Sequence, residues 1–262
     1  MLERIKTAFI LIPLLLILIW PGGEAGTALA VFVAAIIGMK EFTALFDVKP
    51  GSMESIFTPL WAGMIAASFY FGLAAPLALL SVGLIVLTAG ISLNEGPTEA
   101  TLVNIGRSLA GWCYVSLPLG LAVTIRGYGF EPLLFLIILL VVSDSGAYFV
   151  GTAIGRHPLA PKVSPKKSIE GSLGGLLLSM VAGYLFARLL EVPHAPFASI
   201  FIAGLVNVAA QVGDLAESLL KRGAGVKDSG TIFPGHGGML DRVDSFITTI
   251  PLYAFILSII GG

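Results

Sequence analysis

The chain has 262 residues, 56% of them hydrophobic and only 12% charged, with a formal net charge of −1 and one cysteine. The charged share is about half that of an ordinary soluble domain, and the near-neutral balance excludes an overall basic field for nucleic acid. Cys113 cannot form an internal disulfide and has no Cys or His at zinc-ligand spacing, so it reads as a small packing residue. Apolar runs between polar breaks predict an all-α, polytopic integral membrane protein with about nine transmembrane helices. In chain order they fall near 7–20, 26–46, 56–72, 75–93, 106–125, 131–151, 170–190, 196–213 and 243–260. The first and third are short for a bilayer, and the break from Gly72 to Pro76 separates the third from the fourth.

Lys and Arg placement orients the chain. With the N-terminus inside, the cytosolic ends and loops collect Arg4, Lys6, Lys40, Lys49, Arg107, Arg156, Lys162, Lys166, Lys167, Lys221, Arg222, Lys227 and Arg242. The outer side collects only Arg126 and Arg188, the asymmetry expected of an N-in, C-out protein. Arg4 and Lys6 before the first apolar run imitate a secretory signal. Cleavage near Ala28-Leu29-Ala30 would cut into the second run, so the first segment is read as a retained helix.

The two halves differ in where charge sits. Residues 1–125 read as transmembrane scaffold, with helix faces rich in Gly, Ala and Leu. Such faces suit a homodimer as well as packing within one chain. Glu41 is an exception there, read as an ion pair with the adjacent Lys40 at the membrane face. Residues 126–262 read as a catalytic transmembrane region with cytosolic loops at 152–169 and 214–242. Here carboxylates enter the helices: Asp144, then Asp214 and Glu217, then Asp241 and Asp244. An acid inside a membrane helix is costly and marks a site unless something else accounts for it.

All five acids fall on the cytosolic side of this topology. Asp241 and Asp244 share a helix face, as do Asp214 and Glu217. Carboxylates beside glycine-rich loops and helix N-termini fit a divalent cation and phosphates, and magnesium suits that oxygen set. Alternatives stand beside this. Glu217 and Lys221 have the spacing of a helical ion pair, and Asp241 fits an N-terminal cap. In the loop 152–169, Ser164, Lys166, Lys167 and Ser168 precede a helix start, which suits an anion, while the lysines also serve as a positive-inside anchor. His236 lies between glycines that permit close backbone approach to an anion, and a turn role is equally open. His157 and His194 stand alone in loops and read as structural. No GxxxxGK[ST], HExxH or GxSxG occurs, so soluble NTPase, zincin and α/β-hydrolase mechanisms find no support.

The run Ser218-x-x-Lys221-Arg222-x4-Lys227-Asp228-x-Gly230-x2-Phe233-Pro234-x-His236-Gly237-Gly238-x-x-Asp241-Arg242-x-Asp244 resembles the signature of the phosphatidate cytidylyltransferases, or CDP-diglyceride synthases. SDSGAY around Asp144, SPKKSIEG at 164–171 and QVGDLAES at 211–218 resemble further motifs of that family, in the same order. The resemblance covers roughly 140–245; the N-terminal half matches in hydropathy and length only. It implies that CTP and phosphatidic acid give CDP-diacylglycerol and pyrophosphate, with Mg2+, at the cytosolic membrane face; the short N-terminus suits a bacterial inner-membrane protein. The family's use of cation pairs admits a second, monovalent ion such as K+.

On this resemblance, catalytic roles fall to Asp144, Asp214, Lys221, Arg222, His236, Asp241, Arg242 and Asp244. Substrate contacts fall to Ser164, Lys166, Lys167, Ser168, Ser218, Lys227, Asp228, Gly237 and Gly238. Asp144, Asp214, Asp241 and Asp244 would hold metal. Short motifs shared with CTP-dependent lipid-alcohol kinases of the dolichol or phytol type leave that reaction as the alternative. An ion-coupled transporter is a further one, because intramembrane acids also line ion paths.

Overall fold

The computed structural model describes residues 17–49, 51–96, 98–233 and 237–260. They are mostly helical and form two compact units. One comprises the residues described within Met1–Thr124 together with Asp228–Val243; the other comprises Ile125–Lys227 with Asp244–Gly262. Among the described residues, seven helices are long and apolar enough to cross a membrane. The predicted segment at 7–20 lies largely outside the described residues.

In the first unit, α1 (Gly23–Ala44) packs on α2 (Met53–Ala67), which passes into a short 3-10 turn at Ser68–Phe71. Close approach accounts for the fit. A Cβ on Gly63 would stand 2.7 Å from the Ile36 side chain and 3.0 Å from the Phe32 carbonyl, so only glycine lets the helices meet there. Ser52 starts α2 by accepting from the Ser55 amide at 3.2 Å. At 15 residues α2 is shorter than a span, in line with its short apolar run. Next come α3 (Ala74–Glu95) and α4 (Glu99–Gly111), the latter capped by Thr98.

A π turn at Trp112–Ser116 joins α4 to α5 (Leu117–Gly127), making one apolar span of 29 residues where the sequence predicted 106–125. The buried Trp112 indole donates to the Thr58 carbonyl at 2.9 Å. Arg107, read from sequence as a loop-end charge, grips both oxygens of the buried Glu54 at 2.7 Å. Such a planar two-point contact orients as well as neutralises the carboxylate.

In the second unit, α6 (Phe130–Ile154), α7 (Ile169–Leu190) and α8 (Pro196–Gly223) pack side by side. Glycines again set the distance: a Cβ on Gly175 would lie 2.8 Å from the Ser143 carbonyl. A polar seam crosses the contact. Asn207 donates to Ser143 at 2.6 Å, and Gln211 donates to Asn207 at 2.6 Å and to the Ser172 carbonyl at 3.2 Å. Bonds of this kind contribute about 0.6–2 kcal/mol each between membrane helices.

The segment expected as a plain loop at 152–169 contains a small antiparallel hairpin, β1 (Pro158–Ala160) and β2 (Ser164–Ser168), pairing Pro158 with Ser168 and Ala160 with Ser164. It has no alternating apolar face, so periodicity could not reveal it. The last helix, α9 (Leu240–Ile260), contributes its first residues to the first unit and the rest to the second.

His194 does not stand alone in its loop. It is 4% exposed, with Nδ1 2.7 Å from the Ser199 hydroxyl and Nε2 3.0 Å from the Tyr253 hydroxyl. Burial lowers its pKa, because the imidazolium would lose its hydration. The unfolded chain takes up this proton near 6.5 and the folded chain only at lower pH, so stability falls as pH drops below about 6.5 and levels off below the folded value. Thermal unfolding in detergent from pH 7.5 to 5.5 should therefore show a larger decline for the natural protein than for His194→Gln. His194→Ala should cost about 1–3 kcal/mol, since it strands the buried Tyr253 hydroxyl and leaves Ser199 only its bond to the Ala195 carbonyl.

Candidate functional site

A cavity of about 500 Å3 opens in the second unit where α6, the hairpin, α7 and α8 meet. Each element delivers a different chemistry. From α6 comes Asp144, exposed on the cavity wall, one residue beyond the Ser143 that Asn207 holds. From β2 come Ser164, Lys166 and Lys167, with Ser168 at its end. From α8 comes Asp214, one turn after Gln211. The polar seam thus fixes the rotation of α6 and α8 that turns Asp144 and Asp214 to the cavity.

The hairpin is anchored at both ends. At its base, Glu170 accepts from the amides of Arg156 at 3.1 Å and His157 at 3.2 Å, while the His157 ring sits 2.6 Å from its other oxygen. His157, read as isolated, is therefore part of this anchor. Ser168 caps α7 by accepting from the Gly171 amide at 3.1 Å. Farther out, Lys167 pairs directly with Asp214. Two lysines, a hydroxyl pair and a helix N-terminus converge on one space, which suits an anion with several phosphate oxygens.

Asp244 lies in electrostatic range of Asp214, Asp144 and Lys167, and its Oδ1 accepts from the Ser245 amide at 2.6 Å. Gly213 makes this proximity possible: a Cβ there would stand 2.6 Å from the Asp244 carbonyl. No three His, Cys, Asp or Glu side chains among the described residues are close enough to hold a metal ion by themselves.

In the first unit, the signature segment 228–243 is organised by Asp241. Its Oδ2 accepts from the Ser229 amide at 2.9 Å, the Ser229 hydroxyl at 2.9 Å and the Gly238 amide at 2.7 Å. One oxygen taking these donors holds the loop. Gly237 has φ +81°, which glycine adopts freely, and its carbonyl accepts from the Phe233 amide at 3.0 Å. Glu41 does not turn to Lys40 as expected; it reaches the same segment, accepting from the Met239 and Leu240 amides at 2.9 Å.

The remaining predicted residues are dispersed. Lys221 pairs with the buried Glu217, the helical pair that the spacing allowed. The Arg222 guanidinium donates to the Val226 carbonyl at 3.3 Å and reaches the Val163 carbonyl at 3.5 Å. Ser218 is half-buried on α8, whereas Lys227, Asp228 and Arg242 are exposed. Asp228, Gly237, Gly238, Asp241 and Arg242 belong to the first unit; Asp144, Ser164, Lys166, Lys167, Ser168, Asp214 and Asp244 belong to the second. His236 lies outside the described residues. Sequence reasoning missed Asn207, Gln211 and Glu170 as supports; Glu170 was present in SPKKSIEG without a sign of its use.

Comparison with known proteins identifies the family. A family model described as the Cytidylyltransferase family matches residues 2–260. The chain is 34% identical over 253 residues to a phosphatidate cytidylyltransferase of Brucella suis biovar 1 (strain 1330), covering 95% of this chain and 90% of that protein. It is 30% identical over 258 residues to one from Staphylococcus haemolyticus (strain JCSC1435), covering 97% and 98% respectively. A phosphatidate cytidylyltransferase of Haemophilus influenzae is 44% identical over 132 residues, 49% of this chain and 46% of that protein. With the family pattern running over nearly its whole length, the chain belongs to the cytidylyltransferase family.

Proposed function

We propose that this chain is a nucleotidyltransferase that moves the cytidylyl group of CTP onto phosphatidic acid, giving CDP-diacylglycerol and pyrophosphate. The observation that carries the reading is the cavity in which Lys166 and Lys167 meet Asp144 and Asp214, in a chain of the cytidylyltransferase family with full-length relatives named for this reaction. A phosphate oxygen of phosphatidic acid attacks the α-phosphorus of CTP, and the bond to the β-phosphate breaks. A phosphate monoester already carries nearly two negative charges near neutral pH, so the attacking oxygen needs little help from a base. The larger barrier is bringing two anions together and stabilising the leaving pyrophosphate.

Lys166 and Lys167, with Ser164, Ser168 and the α7 N-terminus, serve as the phosphate cradle. Asp144, Asp214 and Asp244 would hold Mg2+, which when bound neutralises charge between the phosphates. A second monovalent cation such as K+ belongs to the same reading. Asp241 would hold Mg2+ as well, besides bracing Ser229 and Gly238, and His236, Gly237 and Gly238 are the residues proposed to shape the nucleotide loop. Ser218, Lys221, Arg222, Lys227, Asp228 and Arg242 keep their roles in phosphate and substrate contacts.

The division into a scaffold at 1–125 and a catalytic region at 126–262 is retained, as are about nine membrane helices, N-in and C-out. That topology sets the site at the cytosolic face of a bacterial inner membrane. The seven long apolar helices among the described residues support a membrane-spanning chain. A homodimer rests on small-residue helix faces, and glycines of α6 to α8 are already used for packing within the chain.

Two experiments test this reading. With purified protein, phosphatidic acid and Mg2+, label from α-labelled CTP should enter lipid and label from γ-labelled CTP should leave as pyrophosphate. Transfer of the γ label alone would identify a lipid kinase instead. Asp214→Asn and Asp244→Asn should each lower kcat by about 100-fold or more while inserting and eluting normally. Full activity in either variant, or wild-type turnover in EDTA, would remove the metal assignment.

A further inference from the structure

Glu41 is a charged residue near the end of an apolar helix, 9% exposed, and the reaction as written gives it no part. Its carboxylate is nonetheless fully directed. Oε1 accepts from the Met239 amide at 2.9 Å; Oε2 accepts from the Leu240 amide at 2.9 Å and the Ser229 hydroxyl at 3.1 Å. These donors lie 188 to 199 residues later in the chain. The two amides belong to the start of α9, where backbone N–H groups lack partners within the helix. A carboxylate satisfies them and complements the positive helix end.

The glycines of the signature fit the same carboxylate. A Cβ on Gly230 would stand 2.5 Å from Oε1, and one on Gly238 would collide with Oε2 and with the Ser229 hydroxyl. Neither position has a φ in the left-handed region, so the need for glycine is one of space rather than backbone conformation. The Ser229 hydroxyl lies between Glu41 and Asp241, its single proton within reach of either carboxylate, while its amide donates to Asp241. The segment is thus clamped on two sides, by Asp241 from within and by Glu41 from α1.

From this geometry we infer that Glu41 is a positioning residue for the signature loop, setting the conformation in which the loop meets the nucleotide. It touches no reacting atom; it acts through residues 229–230 and 238–240. The inference rests on reading the reaction as cytidylyl transfer, and it extends the reaction's machinery into the half of the chain read as scaffold.

The test is steady-state kinetics of purified Glu41→Gln and Gly230→Ala alongside the natural protein, varying CTP and phosphatidic acid separately. Gln keeps the volume but presents an amide to N–H donors. The Gly230→Ala methyl displaces the carboxylate without removing its charge, and the flexible Glu41 side chain can yield, so this variant is expected to fold. Both variants should raise KM for CTP roughly 10- to 100-fold, lowering kcat/KM for CTP, with KM for phosphatidic acid changed less than about twofold. If Glu41→Gln does not fold, Gly230→Ala alone decides. Unchanged kcat/KM for CTP in a folded variant, or equal losses on both substrates, would overturn the inference and reduce Glu41 to a stability role. If the natural protein makes no CDP-lipid, the reaction itself is wrong and this inference falls with it; product from the natural protein with unaffected variants removes only the role of Glu41.

Discussion

A carboxylate set among apolar helices needs donors, because leaving it unmatched costs several kcal/mol. Most of the polar architecture of this chain follows from meeting that need. Glu54 is matched by Arg107, Asp214 by Lys167, Glu217 by Lys221, and Glu41 and Asp241 by hydroxyls and backbone amides. Except for the i,i+4 pair on α8, a partner comes from a different helix or loop. Each match therefore fixes a tertiary contact as well as a charge. The seam through Ser143, Asn207 and Gln211 does the same with neutral groups.

The acids consequently divide by what they bind. Where backbone amides bind the carboxylate, as at Asp241 and Glu41, the residue shapes backbone. Where a lysine from another element meets the carboxylate, as Lys167 does Asp214, the residue stays at the cavity with Asp144 and Lys166. Residue type alone does not separate these uses. Asp241 and Asp244 lie three apart in sequence and have different partners.

Hydropathy made the long helices legible, since an uncharged apolar run of about 20 residues matches the thickness of a bilayer's hydrocarbon layer. Their ends were less so. The α8 helix continues to Gly223, past the predicted end at 213, because helical backbone bonds and the Glu217–Lys221 pair persist where apolarity stops. The start of α4 at Glu99 was hidden in the same way by polar residues in its first turns. SPKKS has no strand-like alternation, so the hairpin became visible only through its pairing with 158–160. For the site, residue types and order were legible, as the cavity lined by Asp144, Lys166, Lys167 and Asp214 illustrates. Long-range partners were not. Lys40 adjoins Glu41 in sequence, but a helix directs neighbouring side chains about 100° apart, and the true donors come from the far end of the chain.

The length of α8 acts as a depth gauge. Pro196 begins the helix and Asp214 lies 18 residues on, a rise of about 27 Å, close to the roughly 30 Å thickness of the hydrocarbon layer. A helix entering the hydrocarbon at Pro196 delivers Asp214 to the opposite headgroup plane, and its remaining turns, with Lys221 and Arg222, continue into water. A lipid phosphate in that leaflet already rests at the level of the carboxylate. On the proposed reaction, phosphatidic acid would enter sideways with its acyl chains still among their neighbours rather than being lifted out of the membrane.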